Sequence, residues 1–123
     1  MKRRFTRIPV KFEAELVSDG IRHKGIIKNL SENGIYMEIA PATSVTVFNP
    51  GTRLELEFRL PSTKIPGNQE KSGEALKLYC EVKSFSKTSS NSLTNQLGLE
   101  FLEFSPAYEE FFKSIYIKYM AIL

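Results

Sequence analysis

The stretch TRLELEFRL (52–60) decides the fold class. Leu54, Leu56, Phe58 and Leu60 alternate with Arg53, Glu55, Glu57 and Arg59. A period of two puts the apolar side chains on one face of an extended strand and the charges on the other. The same pattern recurs on both sides. VKFEAELV (10–17) sets Val10, Phe12, Ala14 and Leu16 against Lys11, Glu13 and Glu15. IRHKGIIKNL (21–30) reads as a strand ending near Asn29, and GIYMEIA (34–40) aligns Ile35, Met37 and Ile39. ALKLYCEVKSF (75–85) aligns Leu76, Leu78, Cys80 and Val82, and NQLGLEFLEF (95–104) aligns Leu97, Leu99 and Phe101. Turn signals separate several of these runs: SDG (18–20) and SENG (31–34). Six short strands at close spacing favour a small antiparallel barrel over a parallel sheet with crossover helices. PSTKIPGNQEKSGE (61–74) and KTSSNSLTN (87–95) are polar, turn-rich loops, expected to be mobile.

The period changes at the C-terminus. In SPAYEEFFKSIYIKYMAIL (105–123), Ser105 is a helix N-cap, Pro106 sits at the first helical position, and Glu109 and Glu110 lie near the positive end of the dipole. Tyr108, Phe111, Phe112, Ile115, Tyr119 and Ile122 share one helical face, widened by Tyr116, Ile117 and Met120. Packing on the barrel is the expected role of this face; the alternative reading is that part of it meets a partner protein or a second copy.

The chain has 123 residues, 41% of them hydrophobic and 25% charged, which suits one globular domain with its own core. The expected division is an N-terminal basic arm (1–9), a barrel (10–104) and a C-terminal helix (105–123). The net charge is +3, from 17 basic and 14 acidic residues. Without Lys2, Arg3, Arg4 and Arg7, 13 basic residues face 14 acidic ones, so the basicity is local. Arg7, Pro9, Lys11 and Glu13 rule out the apolar stretch of a secretory signal, and no run reaches membrane-spanning length. With Cys80 as the one cysteine no internal disulfide can form, and a cytoplasmic location is the natural reading.

Chemistry is scarce. A single histidine, His23, and a single cysteine exclude the usual nucleophile–base pairs and multi-ligand metal sites. Cys80 reads as a small core residue, and Glu55 and Glu57 as part of a solvated charged face. No phosphate loop or dinucleotide fingerprint is present. No catalytic residue, metal or cofactor is expected, and the chain does not read as an enzyme.

Two segments carry a function together. RRFTR (3–7) spaces Arg3 and Arg7 as RxxxR, and NLSENG (29–34) spaces Asn29, Ser31 and Gly34 as NxSxxG. Arginine forks pair with phosphate, donate to the guanine edge and stack on bases. Asn29 and Ser31 supply an amide and a hydroxyl, while Gly34 permits a sharp turn or close approach of a ligand. RxxxR followed about twenty residues later by [D/N]xSxxG resembles the signature of PilZ domains, and GLEF (98–101) is similar to a late strand of that family. The resemblance covers nearly the whole chain. It implies a six-stranded β-barrel with a C-terminal helix and binding of the bacterial second messenger cyclic di-GMP. By that resemblance Arg3 and Arg7 grip phosphate and stack on guanine, with Arg4 an auxiliary, and Asn29, Ser31 and Gly34 line the barrel surface beneath the ligand. Only Met1 and Lys2 precede the arginines, so a stand-alone receptor-adaptor is expected, which orders its N-terminal arm on binding and signals through protein contacts. Two alternatives are a ligand-independent PilZ-like adaptor and, less favoured because the rest of the chain is slightly acidic, a small nucleic-acid-binding barrel.

Overall fold

A computed structural model describes residues 7–39, 48–60, 75–87 and 95–122. The two polar loops lie outside the described residues apart from their margins, as do Lys2, Arg3 and Arg4. The strands are β1 (Ile8–Ser18), β2 (Ile21–Leu30), β3 (Gly34–Ile39), β4 (Arg53–Arg59), β5 (Ala75–Lys87) and β6 (Asn95–Phe101), followed by α1 (Pro106–Ile122). Every pairing is antiparallel, and the order β1-β2-β3-β6-β5-β4 closes on itself. The protein is a six-stranded antiparallel barrel with a C-terminal helix, as the alternation predicts. Two three-stranded meanders, β1–β3 and β4–β6, meet at two seams: β3 against β6 and β1 against β4.

Local chemistry explains the turns. Asp19 and Gly20 both have positive φ, 52° and 78°, and join Ser18 to its partner Ile21. This is the backbone of a two-residue hairpin whose twist matches the strands, and Asp-Gly is a favoured pair for it. The β5–β6 ladder runs out to a Lys87–Asn95 rung, so both ends of the second polar loop belong to strands. At the other margin, β1 begins at Ile8 rather than Val10. Ile8 is 1% exposed and pairs with Leu30, which makes it core rather than arm. Pro9 is tolerated there because β1 pairs with β4 only from Ala14 to Val17, leaving the side of Pro9 away from β2 without a ladder that needs its missing N–H.

The inward-facing rows fill the barrel. Leu16, Ile27, Leu30, Met37, Leu56, Cys80, Val82 and Leu97 are fully buried. A six-stranded barrel is too narrow to be hollow, and side chains occupy its axis. Aromatic residues cover both ends. Phe111 of α1 lies against Phe12 of β1 and Phe58 of β4, with ring centroids 5.7 and 6.0 Å apart. Tyr108 meets Phe101 of β6, across the ring from β1, at 4.6 Å. The first turns of the helix therefore span one mouth of the barrel. Its N-terminus is capped as expected: the Tyr108 amide donates to Ser105 Oγ at 3.2 Å. At the opposite end Phe48 is buried between His23 of β2 and Phe85 of β5. The alternation did not reveal Phe48 as core, because it stands alone in a non-repeating stretch.

Cys80 is fully buried, and burial pushes its thiol from 9.0 up to about 12 by disfavouring the thiolate. Between those values the unfolded thiol is ionised while the folded one keeps its proton. Stability contributed by Cys80 is therefore intact below pH 9 and falls as pH rises towards 12. Denaturant melts should show a loss between about pH 8 and about pH 11 that is smaller in Cys80→Ala, even though that variant starts less stable. An equal loss in both proteins would remove Cys80 as its source.

Candidate ligand-binding site

The NxSxxG segment forms the β2–β3 turn. The Ser31 amide donates to the Gly34 carbonyl at 2.9 Å, which closes the turn around Glu32 and Asn33. Ser31 Oγ lies 3.1 Å from both that carbonyl and Asn33 Oδ1, so its single proton is committed within the turn. Ser31 therefore fixes the turn from a buried position, and what it retains for a ligand is acceptor capacity. The Ser31 carbonyl accepts a 2.7 Å hydrogen bond from the buried Tyr108 hydroxyl, which ties the helix directly to the motif. Burial drives the Tyr108 phenol well above its ordinary range, keeping it protonated as a donor.

Gly34 has a structural reason of its own beside the ligand approach read in the sequence, and it is not the sharp turn. Positive φ is confined, among the described residues, to Asp19, Gly20 and Gly51, so Gly34 is not a strained turn position. It opens β3 opposite Glu100, and a Cβ there would run into the Leu99 carbonyl well inside van der Waals contact. Glycine is required because the two meanders meet there.

Asn29 sits just past an irregularity in β2. Ile27 pairs with Met37 and Asn29 with Tyr36, so Lys28 is an extra residue in that ladder. Such a bulge turns the following side chains relative to a regular strand. One row then runs Pro9–Asn29–Tyr36–Gly98–Ser84 across five strands. Gly98 leaves this row without a side chain beside Tyr36, whose hydroxyl donates to Gln96 Oε1. Arg7 directly precedes β1, one residue before the Ile8–Leu30 rung.

These residues surround one concavity of about 340 Å³ on the outer barrel face. Arg7, Asn29, Ser31 and Gly34 all line it, together with Lys83, Ser84, Gly98 and Glu100 from β5 and β6. The second group carries no motif. Its one signal in the sequence is GLEF, which includes Gly98 and Glu100. Arg3 and Arg4 lie outside the described residues. The arrangement suits an anionic ligand with hydrogen-bonding edges: a cation at the rim, an amide on the wall, and an open floor. Among the described residues no group of His, Cys, Asp or Glu could hold a metal ion, and no helix is long and apolar enough to cross a membrane.

The model of the PilZ domain matches residues 1–117. The chain belongs to the PilZ domain family. Curated proteins give no match. Among solved structures, this PilZ domain is similar to the PilZ domain of YcgR from Escherichia coli, solved with cyclic di-GMP. Identity is 18%, with a TM-score of 0.67 over 98% of this chain and 93% of that one. It is also similar to the Bacillus subtilis inhibitor of motility MotI (DgrA), at 20% identity and a TM-score of 0.62 over 89% of this chain and 47% of the other. The PlzA protein of Borreliella burgdorferi, in complex with cyclic di-GMP, matches at 15% identity and a TM-score of 0.60 over 91% and 50%. The PilZ domain described here thus spans about half the length of MotI and PlzA. At these identities the likeness is one of fold.

Two substitutions test the turn. Tyr108→Phe keeps the ring and leaves the buried Ser31 carbonyl without its donor, so stability should fall by about 1–3 kcal/mol in denaturant melts. A loss within error would mean that water replaces the hydroxyl freely. Gly34→Ala must separate β3 from β6 locally and should cost at least about 1–3 kcal/mol. Loss of hydrogen-exchange protection should concentrate on the Ile35–Leu99 and Gly34–Glu100 rungs.

Proposed function

We propose that this PilZ domain binds cyclic di-GMP on the outer face of its barrel and passes on the bound state through protein contacts. The observation that carries the reading is that Arg7 and the Asn29–Gly34 turn border the same concavity, although 21 positions separate Arg7 from Lys28 at the near side of that turn. Cyclic di-GMP offers two phosphates and two guanine edges. Arginine can engage both through its planar fork and its stacking face, and an asparagine amide can both donate to and accept from a base edge. Further support comes from the similarity in fold to the YcgR and PlzA structures, both of which contain cyclic di-GMP.

In this proposal Arg3 and Arg7 clamp the ligand, Arg4 assists, and Asn29, Ser31 and Gly34 form the surface beneath. Ordering of the N-terminal arm around the ligand belongs to the proposal, and its entropic cost would be met by the arginine contacts. An effector protein would read the result. The helix offers Ile117 and Met120, 67% and 46% exposed, as apolar contact area, and Phe104 just before it is 72% exposed. The neutral Asn29 adds no repulsion to a dianionic ligand.

Isothermal titration with cyclic di-GMP tests the reading. Wild type should bind, and Arg3→Ala and Arg7→Ala should each weaken binding by about tenfold or more without moving the melting temperature. The heat per mole of protein also separates one bound ligand from a stacked pair. Unchanged affinity in both variants would remove the clamp, and absence of binding by wild type would leave a ligand-independent adaptor.

A further inference from the structure

Arg7 and the β2–β3 turn supply one wall of the concavity, and β5 and β6 supply the other. On that wall Val82 pairs with Leu99 and Ser84 pairs with Gly98, so Lys83 is an extra residue opposite no partner. A bulge of this kind re-aims a side chain and is over-represented beside functional sites. Beside it the ladder sets Glu81 directly opposite Glu100, and Glu100 opposite Gly34. Like charges facing each other across strands are unfavourable. Lys83 Nζ answers both, at 3.1 Å from Glu81 and 3.4 Å from Glu100. Glu81 has a second cation, Arg53, at 3.9 Å, whereas the Glu100 carboxylate has Lys83 as its ion-pair partner among the described residues.

Lys83 and Glu100 line the same concavity as Arg7 and Asn29. Resting on the reading of that concavity as a cyclic di-GMP site, we infer that Lys83 is an additional phosphate contact and that Glu100 is a built-in competitor that holds affinity down. The lysine is a flexible point charge, 53% exposed, whose ammonium can swing from a carboxylate to a phosphate. In the empty site it neutralises the Glu81–Glu100 pair. When a phosphate enters, the ammonium turns to it. Glu81 keeps Arg53, and Glu100 is left bare next to an anion. The carboxylate thus opposes binding twice, by holding the lysine and by repelling the ligand. Gly98 keeps the path open, because a Cβ there would come within 2.6 Å of Ser84 Oγ and fill the floor between Tyr36 and the bulge.

The test compares wild type, Lys83→Gln, Lys83→Arg, Glu100→Gln and the Lys83→Gln/Glu100→Gln double variant by isothermal titration with cyclic di-GMP, alongside thermal melts. Lys83→Gln should weaken binding about three- to tenfold, and Lys83→Arg should restore most of it. Glu100→Gln should tighten binding several-fold, and the gain should shrink in the double variant, where no lysine is released. A purely structural role predicts otherwise: melting temperatures shift with the charge balance of the Glu81–Glu100 pair while affinity stays constant. Wild-type binding with unchanged affinity in both Lys83→Gln and Glu100→Gln overturns the inference and leaves the function standing. Absence of wild-type binding overturns both.

Discussion

The seam between β3 and β6 is the constraint on which the rest depends. Each meander can form from local hairpins, but the barrel exists only where the meanders join. At the motif end of that seam the backbones come so close that the first residue of β3 can carry no side chain against the Leu99 carbonyl. That contact sets Gly34 opposite Glu100, brings the Ser31 turn up to the end of β6, and lets the Phe101 amide donate to the Asn33 carbonyl at 2.8 Å. The same approach puts Ser31 within reach of Tyr108. Barrel closure, the docking of the helix and the shape of the concavity are consequences of one close contact between strands.

A filled barrel also decides where a ligand can go. The axis is occupied from Phe48 at one end to Phe111 at the other, so it leaves a ligand no room. An outer barrel face is ordinarily convex and covered by side chains. Here it is made concave by subtraction and by redirection. Gly98 removes a side chain from the five-strand row, while extra residues at Lys28 and Lys83 turn their neighbours on either side of it. The inward rows stay continuous because each bulge shifts the alternation by one residue, so that inward positions pass from Ile27 to Leu30 on β2 and from Val82 to Phe85 on β5.

Period-two alternation made the barrel legible, since each of Leu54, Leu56 and Phe58 must face inward if one does. The helix was legible from its N-cap and its apolar face, because both depend on spacing along one segment. The site was legible only in half. Asn29, Ser31 and Gly34 lie on one turn, so their proximity is written locally. Lys83 reaches the same concavity through a register shift against β6, and a shift is a property of two strands that neither strand encodes alone. The place of Ser31 on the border of the concavity was legible, but the commitment of its hydroxyl to the turn was not, since that depends on where the Gly34 carbonyl points. Ile8 falls within the arm on sequence alone, because a single apolar residue beside a proline has no period. Its burial comes from pairing with Leu30.

The hydrogen bond from Tyr108 to Ser31 joins the two faces of the molecule. Ser31 belongs to the turn that borders the concavity, and Tyr108 sits in the first turn of the helix, stacked with Phe112 at 6.2 Å. From Phe112 the stack continues to Tyr116 at 6.1 Å, towards the exposed end of the helix. The Ser31 carbonyl and the Tyr108 hydroxyl are both buried, so neither can trade the other for water without local opening, and the pair behaves as a rigid link rather than a sliding contact. A displacement of the turn must therefore either carry the helix with it or break a buried hydrogen bond. Since Tyr108 also packs on Phe101 and Phe111, carrying the helix means repacking the mouth of the barrel. Packed aromatic contacts of this kind resist small deformations and give way in discrete steps, so the rigidity that holds the turn in shape also gives the helix a defined position relative to the concavity.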